Sequence, residues 1–280
     1  KVPMENADNS LLGVVEGKDE FEFYYEVELP EITKNANMWI PVASSDRFQT
    51  IDIISVLAPT DHQVIADAEN GNKIMYMALK PEHSKEIIRV SYKVNRIEKG
   101  PYLDDDKDIE HYLEANTLLP VGGKFSQIVN RELLGKLNDN NLVKARALYD
   151  YIIDNMSYKK AGVYGTGDAN YACDSKSGNC TEFHSFFISL ARTAGIPARF
   201  AIGAAIPSDR DSGGVNGYHC WAEFYAEGKW WPVDISEGNK YTALATYYFG
   251  HHPANRIELN RGRDLIFTPG PQNGPVKFMA

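Results

Sequence analysis

The sequence predicts an α+β protein in which an antiparallel β-sandwich domain precedes a domain that mixes helices with strands. Two observations lead to this prediction. Runs within the first 98 residues alternate apolar and polar side chains, the period of half-buried strands, whereas later runs repeat apolar residues at helical spacing. A chain of 280 residues is also long enough for two domains of ordinary size. We therefore predict one domain over residues 1–98 and a second over residues 99–280.

The clearest strand signal in the first domain is FEFYYEVEL, where Phe21, Phe23 and Tyr25 alternate with glutamates and a tyrosine. Further runs of strand length are MWIPV, FQTIDIISVL, KIMYMAL and EIIRVSYKVNRI. Segments such as ASSD, APTD and ENGN separate them, and their Pro, Asn, Asp and Gly residues favour turns. Five or six antiparallel strands with few helical signals are typical of a small β-sandwich.

The segment EKGPYLDDDKD, residues 98–108, is a charged break that contains Gly and Pro, and we place the domain boundary there. Helical spacing follows in KFSQIVNRELLGKL and NLVKARALYDYIIDNM, with Asn140 or Asn141 placed to cap the second helix. Three runs of strand character come later, RFAIGAAI, GYHCWAEFYA and KWWPVDI. The second domain is therefore expected to combine helices with a sheet.

Composition and charge restrict the class of protein. Hydrophobic residues make up 43% and charged residues 24%, as in globular proteins, and no run approaches the roughly 18 apolar residues of a membrane helix. A net charge of −9 argues against nucleic acid, because phosphate binding needs clustered Lys and Arg. The chain begins at Lys1 rather than Met, so we expect that an N-terminal segment, either a secretory signal or a tag, has been removed. Export to the periplasm or beyond is the expectation, with the cytoplasm as the alternative.

Cys180 stands at the head of a predicted amphipathic helix. Gly195 and Pro197 supply the stop signals, and one apolar stripe contains Phe183, Phe187, Leu190, Ala191 and Ala194. The unpaired N–H groups and positive dipole end of a helix N-terminus stabilise an anion, so a thiol there ionises more readily. A thiolate is the nucleophilic form of cysteine. Cys180 is therefore either a reactive thiol or an ordinary buried cysteine, and a partner decides between them.

A hairpin supplies two candidate partners. In GYHCWAEFYAEGKWWPVDIS, a turn at Glu227 and Gly228 sets Trp221 opposite Asp234. His219 shares the face of Trp221 and lies diagonal to Asp234, within the reach of long side chains. An imidazole beside a carboxylate is held in one tautomer, and its charged form is stabilised. A Cys–His pair needs this third member, so Cys180, His219 and Asp234 form a candidate catalytic group.

These residues resemble the transglutaminase-like superfamily, whose papain-like fold carries Cys, His and Asp in that order. Three stretches carry the resemblance, namely GNCTEFHSFFISLARTAGIPAR, YHCWAEFYAEGKWWPVDIS and, more weakly, NRIELNRGRDLIF. The resemblance extends over residues 100–280, and the leading β region is similar to the N-terminal domain of many bacterial members. It implies a papain-like, transglutaminase-like catalytic domain after the β-sandwich.

The resemblance implies that Cys180 is the nucleophile, His219 the general base and acid, and Asp234 the residue that orients His219. The family includes crosslinking transglutaminases, amidases, peptidases and domains without activity. We expect hydrolysis of a peptide or amide bond in a protein or peptide substrate, through a thioester. Hydrolysis needs no amine site, and no acidic calcium site is recognised. Crosslinking of glutamine to lysine is the alternative, and no cofactor or metal is expected.

Further site residues are candidates from their positions in the sequence. The oxyanion is expected to bind the backbone N–H of Cys180 and a second donor from the preceding loop. Tyr171 is the candidate donor, with loop packing as its alternative role. Trp221 and Trp231 are candidate substrate-binding residues, with core packing as the alternative.

Two other classes of function stay open at this point. Zinc is one, since soft ligands are present, but Cys173 and Cys180 lack the short Cys-x₂₋₄-Cys spacing of structural sites. His219 and Cys220 would also point to opposite faces of a strand. A Cys173–Cys220 disulfide would leave Cys180 free. The other class is a catalytically inert binding module. The sequence predicts neither the oligomeric state nor the identity of the substrate.

Overall fold

The structure is a computed structural model, and it describes residues 17–104, 108–134, 140–215 and 217–280. Residues 1–16 of the predicted first domain, residues 105–107 of the predicted boundary and residues 135–137 of the first predicted helix lie outside that description. The described chain forms two compact units. The site unit contains residues 98–201 and 219–253, and the β unit contains residues 17–97, 202–218 and 254–280. The division into domains 1–98 and 99–280 stays a prediction.

The β unit is built mainly from strands. Its first six are β1 (Lys18–Glu28), β2 (Ala36–Val42), β3 (Gln49–Leu57), β4 (His62–Ala66), β5 (Lys73–Leu79) and β6 (Ile87–Ile97). They form two three-stranded sheets, in the orders β1-β6-β3 and β2-β5-β4, and every pairing is antiparallel. The predicted antiparallel strands are thus confirmed, and β4 is an additional strand.

The core of the β unit follows from the period-two pattern. Side chains of β1 alternate between exposed and half-buried, and Phe23 lies opposite Tyr92 with the ring centroids 6.4 Å apart. One hydrophobic cluster takes residues from both sheets, including Ile40, Met75 and Val90. Shared burial of this kind is what a sandwich requires. The β-sandwich topology itself stays a prediction.

The site unit combines helices with short strands. Its helices are α1 (Lys124–Glu132), α2 (Asn141–Asn155), α3 (Ala169–Ser175), α4 (Cys180–Thr193) and α5 (Ile235–Lys240). The remaining strands of the chain are β7 (Ser157–Tyr158), β8 (Ser177–Gly178), β9 (Ala198–Ala205), β10 (His219–Ala226), β11 (Lys229–Val233) and β12 (Arg256–Arg261). The last residues of β9 and all of β12 belong to the β unit. Helices α3 and α5 were not predicted from the sequence.

Helix α4 is the centre of the site unit. Every residue from Cys180 to Arg192 is buried, and the helix packs against β10 and the four other helices. The predicted cap of α2 is confirmed, since the Asn140 side chain accepts from the backbone N–H groups of Leu142 and Val143. Within the described residues, no helix has the length and apolar character needed to cross a membrane. Overall, the structure is a mixed α+β protein.

The stretches GIPAR and YHCWAEFYA contribute Arg199 and Glu223 to a buried network of charged side chains. Glu223 of β10 is fully buried and pairs with the equally buried ammonium of Lys99. Arg199, from the GIPAR stretch, donates its Nε–H to the same carboxylate at 2.8 Å. The Tyr102 hydroxyl also donates to Glu223, at 2.9 Å, and the Arg199 guanidinium lies 3.9 Å from the centre of the Trp230 ring. This network ties β9, β10 and the start of the site unit together.

Candidate active site

The first turn of α4 is fixed by a capping box. The Asn179 side chain accepts from the backbone N–H of Thr181 at 2.8 Å, and the Glu182 carboxylate accepts from the backbone N–H of Asn179 at 3.1 Å. Cys180 is therefore the first helical residue, as predicted, and it is 2% exposed. The helix N-terminus favours an anionic sulfur at this position.

Glu182 also anchors the loop before the helix. Its two carboxylate oxygens accept from the backbone N–H groups of Gly165, Thr166 and Gly167 at 2.9–3.1 Å. The carboxylate lies so close to Gly178 that a Cβ there would be 2.4 Å from the Cβ of Glu182. A glycine is therefore required at position 178, and the loop and the start of α4 form one hydrogen-bonded assembly.

The hairpin of β10 and β11 has the predicted register. Ala226 lies opposite Lys229 and Ala222 lies opposite Val233, so the face that carries His219 also reaches Asp234 at the end of β11. His219 Nε2 donates to Asp234 Oδ2 at 2.6 Å. Both side chains are buried, His219 to 7% exposure and Asp234 completely. The structure thus brings His219 and Asp234 into direct contact.

Cys180 completes this group from the helix. Its thiol interacts with the His219 imidazole and with the thiol and backbone N–H of Cys220. Burial alone would raise the pKa of the Cys180 thiol, but the hydrogen bonds from Cys220 and His219 and the charge of His219 hold that pKa well below its ordinary value. The arrangement therefore favours a thiolate at the helix N-terminus.

The pKa of His219 is shifted in the opposite direction to that of Cys180. Burial lowers the pKa of His219, but the charge and hydrogen bond of Asp234, together with Cys180, outweigh it and raise the pKa to about 9. A thiolate and an imidazolium can therefore coexist near neutral pH. Such a pair supplies a nucleophile and a proton donor side by side.

Asp234 is held by more than the histidine. It is the N-cap of α5, and its Oδ1 accepts from the Ser236 hydroxyl at 2.9 Å and from the backbone N–H of Glu237 at 3.0 Å. These bonds leave Oδ2 for His219. The carboxylate is therefore oriented by the helix that follows it, a feature that the sequence analysis missed because α5 is only a short helix with no apolar period.

Cys220, which the sequence analysis considered only for zinc or for a disulfide, lies at the site. Cys220 Sγ lies 3.8 Å from Thr181 Oγ1 and 3.9 Å from His184 Nδ1, beside the first turn of α4. His219 and Cys220 are adjacent residues at the start of β10, and both interact with Cys180. All three cysteines are free thiols, so the Cys173–Cys220 disulfide is not formed.

A cavity of about 640 Å³ is lined by Tyr158, Lys240, Met156 and their neighbours. The Lys240 ammonium lies 4.1 Å from the centre of the Tyr158 ring and 2.7 Å from the Glu237 carboxylate. Burial and the charge of Cys180 raise the pKa of Tyr158, so its phenol stays protonated. Tyr158 is therefore a neutral hydroxyl donor that lines this cavity and is affected by the charge of Cys180.

The structure places the other predicted site residues, Tyr171, Trp221 and Trp231, on α3, β10 and β11. Tyr171 is half-buried on α3. Trp221 is fully buried, and the centroid of its ring lies 6.0 Å from that of the His219 ring and 5.5 Å from that of the His252 ring. Trp231 is half-buried, stacks on Phe224 and donates its indole N–H to the Ala226 carbonyl at 3.0 Å. Trp221 therefore lies against the site, and the roles of all three residues stay predictions.

One group of side chains in the described residues could hold a metal ion. Ligand atoms of His219, Asp234 and Glu237 lie within 4.8 Å of one another. However, His219 is already bonded to Asp234, and Glu237 is paired with the Lys240 ammonium. A cation here would have to compete with both interactions, so the donors fit a proton-transfer site better than a metal site.

Comparison with known proteins finds similarity to one family. Residues 129–235 match the model of the transglutaminase-like superfamily, and the match includes Cys180, His219 and Asp234. A Haemophilus influenzae protein of uncharacterized function is 25% identical, with 98% of this chain and 85% of that protein covered.

Two solved structures match parts of the chain to different degrees. A Cytophaga hutchinsonii protein described provisionally as a cysteine protease has a TM-score of 0.64 at 18% identity, covering 88% of this chain and 83% of that chain. The periplasmic domain of TgpA from Pseudomonas aeruginosa has a TM-score of 0.43 at 16% identity, covering 80% and 72%. The first of these likenesses supports the fold of the chain.

Proposed function

Because residues 129–235 form a transglutaminase-like domain, we propose that this protein is a cysteine-dependent acyl-transfer enzyme that hydrolyses a peptide or amide bond. One observation carries the proposal. The Cys180 thiol interacts with the His219 imidazole, whose Nε2 lies 2.6 Å from the buried carboxylate of Asp234. That order of groups activates the sulfur and supplies a proton for the leaving amine.

The proposed reaction has two halves. In the first, the Cys180 thiolate attacks the substrate carbonyl carbon and His219 gives its proton to the leaving amine, which leaves a thioester. In the second, a water molecule loses a proton to His219, attacks the thioester carbonyl and releases the carboxylic acid and the Cys180 thiolate. Asp234 keeps His219 in the tautomer that both halves need. A lysine amine in place of water would give a crosslink, the alternative reaction.

The purified protein tests this reaction against the alternative. We expect peptide cleavage or ammonia release from a set of peptides and proteins, and its complete loss in Cys180→Ala. The same reactions are run with a fluorescent primary amine, and we expect incorporation into protein to be slower than hydrolysis. Dominant amine incorporation would favour a transglutaminase. Activity in neither assay, together with a slowly alkylated Cys180, would favour an inert binding module.

We propose that the second oxyanion donor is a tyrosine hydroxyl whose pKa is raised by burial and by the charge of Cys180. Tyr171 is the residue predicted from the sequence, but the phenol of Tyr158 interacts with Cys180 and stays protonated. Removal of one oxyanion donor typically lowers kcat by about 10²–10³-fold. We therefore expect that loss in Tyr158→Phe and little change in Tyr171→Phe, with Cys180 alkylation retained in both. The reverse result in steady-state assays would assign the donor to Tyr171.

A further inference from the structure

We propose that His184 is a positioning residue that locks the first turn of α4 to the backbone after Asp234 through a neutral imidazole. The inference rests on the proposed function, since it concerns the same Cys180, His219 and Asp234 group. His184 is completely buried on α4, one turn after Cys180. Neither its apolar neighbours in the sequence nor its place on the helix pointed to this role.

Both ring nitrogens of His184 contact backbone groups of the site. Nδ1 lies 2.7 Å from the carbonyl oxygen of Cys180, and Nε2 lies 3.0 Å from the backbone nitrogen of Ile235. A carbonyl oxygen can only accept, so Nδ1 must carry the proton and donate. The Ile235 N–H can only donate, so Nε2 must be unprotonated and accept. The two contacts together select one neutral tautomer.

This tautomer fits the electrostatics around the ring. The titratable groups that face His184 are Cys180 on its own helix, Cys220 and His219 on β10, and Asp234 after β11. Burial lowers the pKa of His184 and outweighs the opposing charges of Asp234 and Cys180. The ring therefore stays neutral while His219 takes the proton.

Because the His184 ring is neutral, it does not compete with His219 for the negative charge of Asp234. His184 Nε2 lies 3.7 Å from Asp234 Oδ1, close enough for a protonated His184 to compete for the carboxylate. Its contact to Ile235 fixes the residue that directly follows Asp234, and its contact to Cys180 fixes the residue that carries the thiol. The distance between thiol and carboxylate, which His219 must bridge, is thereby set by one rigid side chain.

Three substitutions separate the two contacts. His184→Leu removes both, His184→Asn keeps an amide N–H near the position of Nδ1, and His184→Gln keeps an amide oxygen that can accept from Ile235. We expect His184→Leu to shift the pH profile of Cys180 alkylation upward and to slow alkylation at pH 7 about tenfold, the equivalent of one pKa unit. We expect kcat to fall in His184→Leu while KM stays unchanged. His184→Asn and His184→Gln should each recover part of the lost alkylation rate and part of the lost kcat.

Phe187→Leu is the matched control, because Phe187 is buried on the same helix and packs on Phe224 rather than on the site. It is expected to lower the unfolding temperature and to leave the pH profile of alkylation unchanged. If His184→Leu behaves in the same way, His184 is only a core residue and the proposal is wrong. The alkylation readout needs no substrate, so it tests His184 even if the hydrolysis assays show no activity.

Discussion

Replacement of His219 by alanine is expected to slow alkylation of Cys180 and to move its pH profile upward. The cause is the loss of the hydrogen bond and the charge that hold the Cys180 pKa below its ordinary value. An ordinary cysteine is only a few per cent thiolate at pH 7, so the expected decrease at that pH is at least about tenfold. Because burial alone raises the Cys180 pKa, the variant should react appreciably only above about pH 8.5.

The same substitution should have a larger effect on turnover. His219 is proposed to protonate the leaving amine, and general acid catalysis typically contributes about 10²–10⁴-fold. In the parent protein, activity is expected to fall as the pH rises through about 9, the pKa of His219, because the imidazolium that donates the proton is then lost. On the acid side, activity should fall as the Cys180 thiolate is protonated, at a pH well below the ordinary thiol pKa.

Alkylation with iodoacetamide across pH 5–10, followed by peptide mass spectrometry of the Cys180 peptide, measures the first effect. His62→Ala is the matched control, since His62 is an exposed histidine of the β unit and should leave the profile unchanged. Asp234→Asn should give an intermediate profile, because it removes the charge that raises the His219 pKa. An identical profile in the parent and in His219→Ala would contradict an activated pair.

The second large effect concerns stability rather than chemistry. Glu223→Ala is expected to lower the free energy of unfolding of the site unit by about 3–5 kcal/mol, the usual cost of removing one partner from a buried ion pair. The substitution leaves the fully buried Lys99 ammonium and the nearly buried Arg199 guanidinium without their shared carboxylate. Both cations would then stay buried without the carboxylate that they share, although Arg199 would keep its contact with Asp104 at 3.0 Å.

Urea unfolding followed by tryptophan fluorescence measures this loss. Three of the four tryptophans, Trp221, Trp230 and Trp231, belong to the site unit, so the signal reports mainly on that unit. Asp174→Asn is the control, since the Lys124–Asp174 pair lies at the surface of the same unit and should change the midpoint little. A midpoint for Glu223→Ala equal to that of the parent would show that the network contributes nothing to stability.

A large part of the fold could be predicted from the sequence. Alternating side chains in FEFYYEVEL fix which face of β1 is buried, and the apolar stripe after Cys180 fixes both the start and the end of α4. The hairpin turn at Glu227 and Gly228 determines the register of β10 and β11, so the proximity of His219 and Asp234 follows from local geometry. Each of these features depends on residues that are close together in the chain.

The sequence did not reveal α3, α5, β4 or the exact partners of the buried polar groups. Helices of six or seven residues complete less than two turns beyond their caps, so their apolar period is too short to recognise. Strand β4 has five residues, and most of its side chains are exposed, so it lacks a buried alternating face. These elements form because neighbouring parts of the chain pack against them.

By itself, the sequence determined the nucleophile candidate, its helix and the histidine–carboxylate hairpin, because periodicity and turn chemistry act over a few residues. Only the tertiary structure determined which other side chains contact this group and which buried charges pair with one another. Cys220 of β10 contacts His184 on α4, and His184 in turn contacts the backbone of Ile235 in α5. Lys99, Arg199 and Glu223 meet although Lys99 and Glu223 are more than a hundred residues apart in the chain. Such contacts depend on how packed elements bring distant side chains together, and no local pattern in a single sequence encodes that distance.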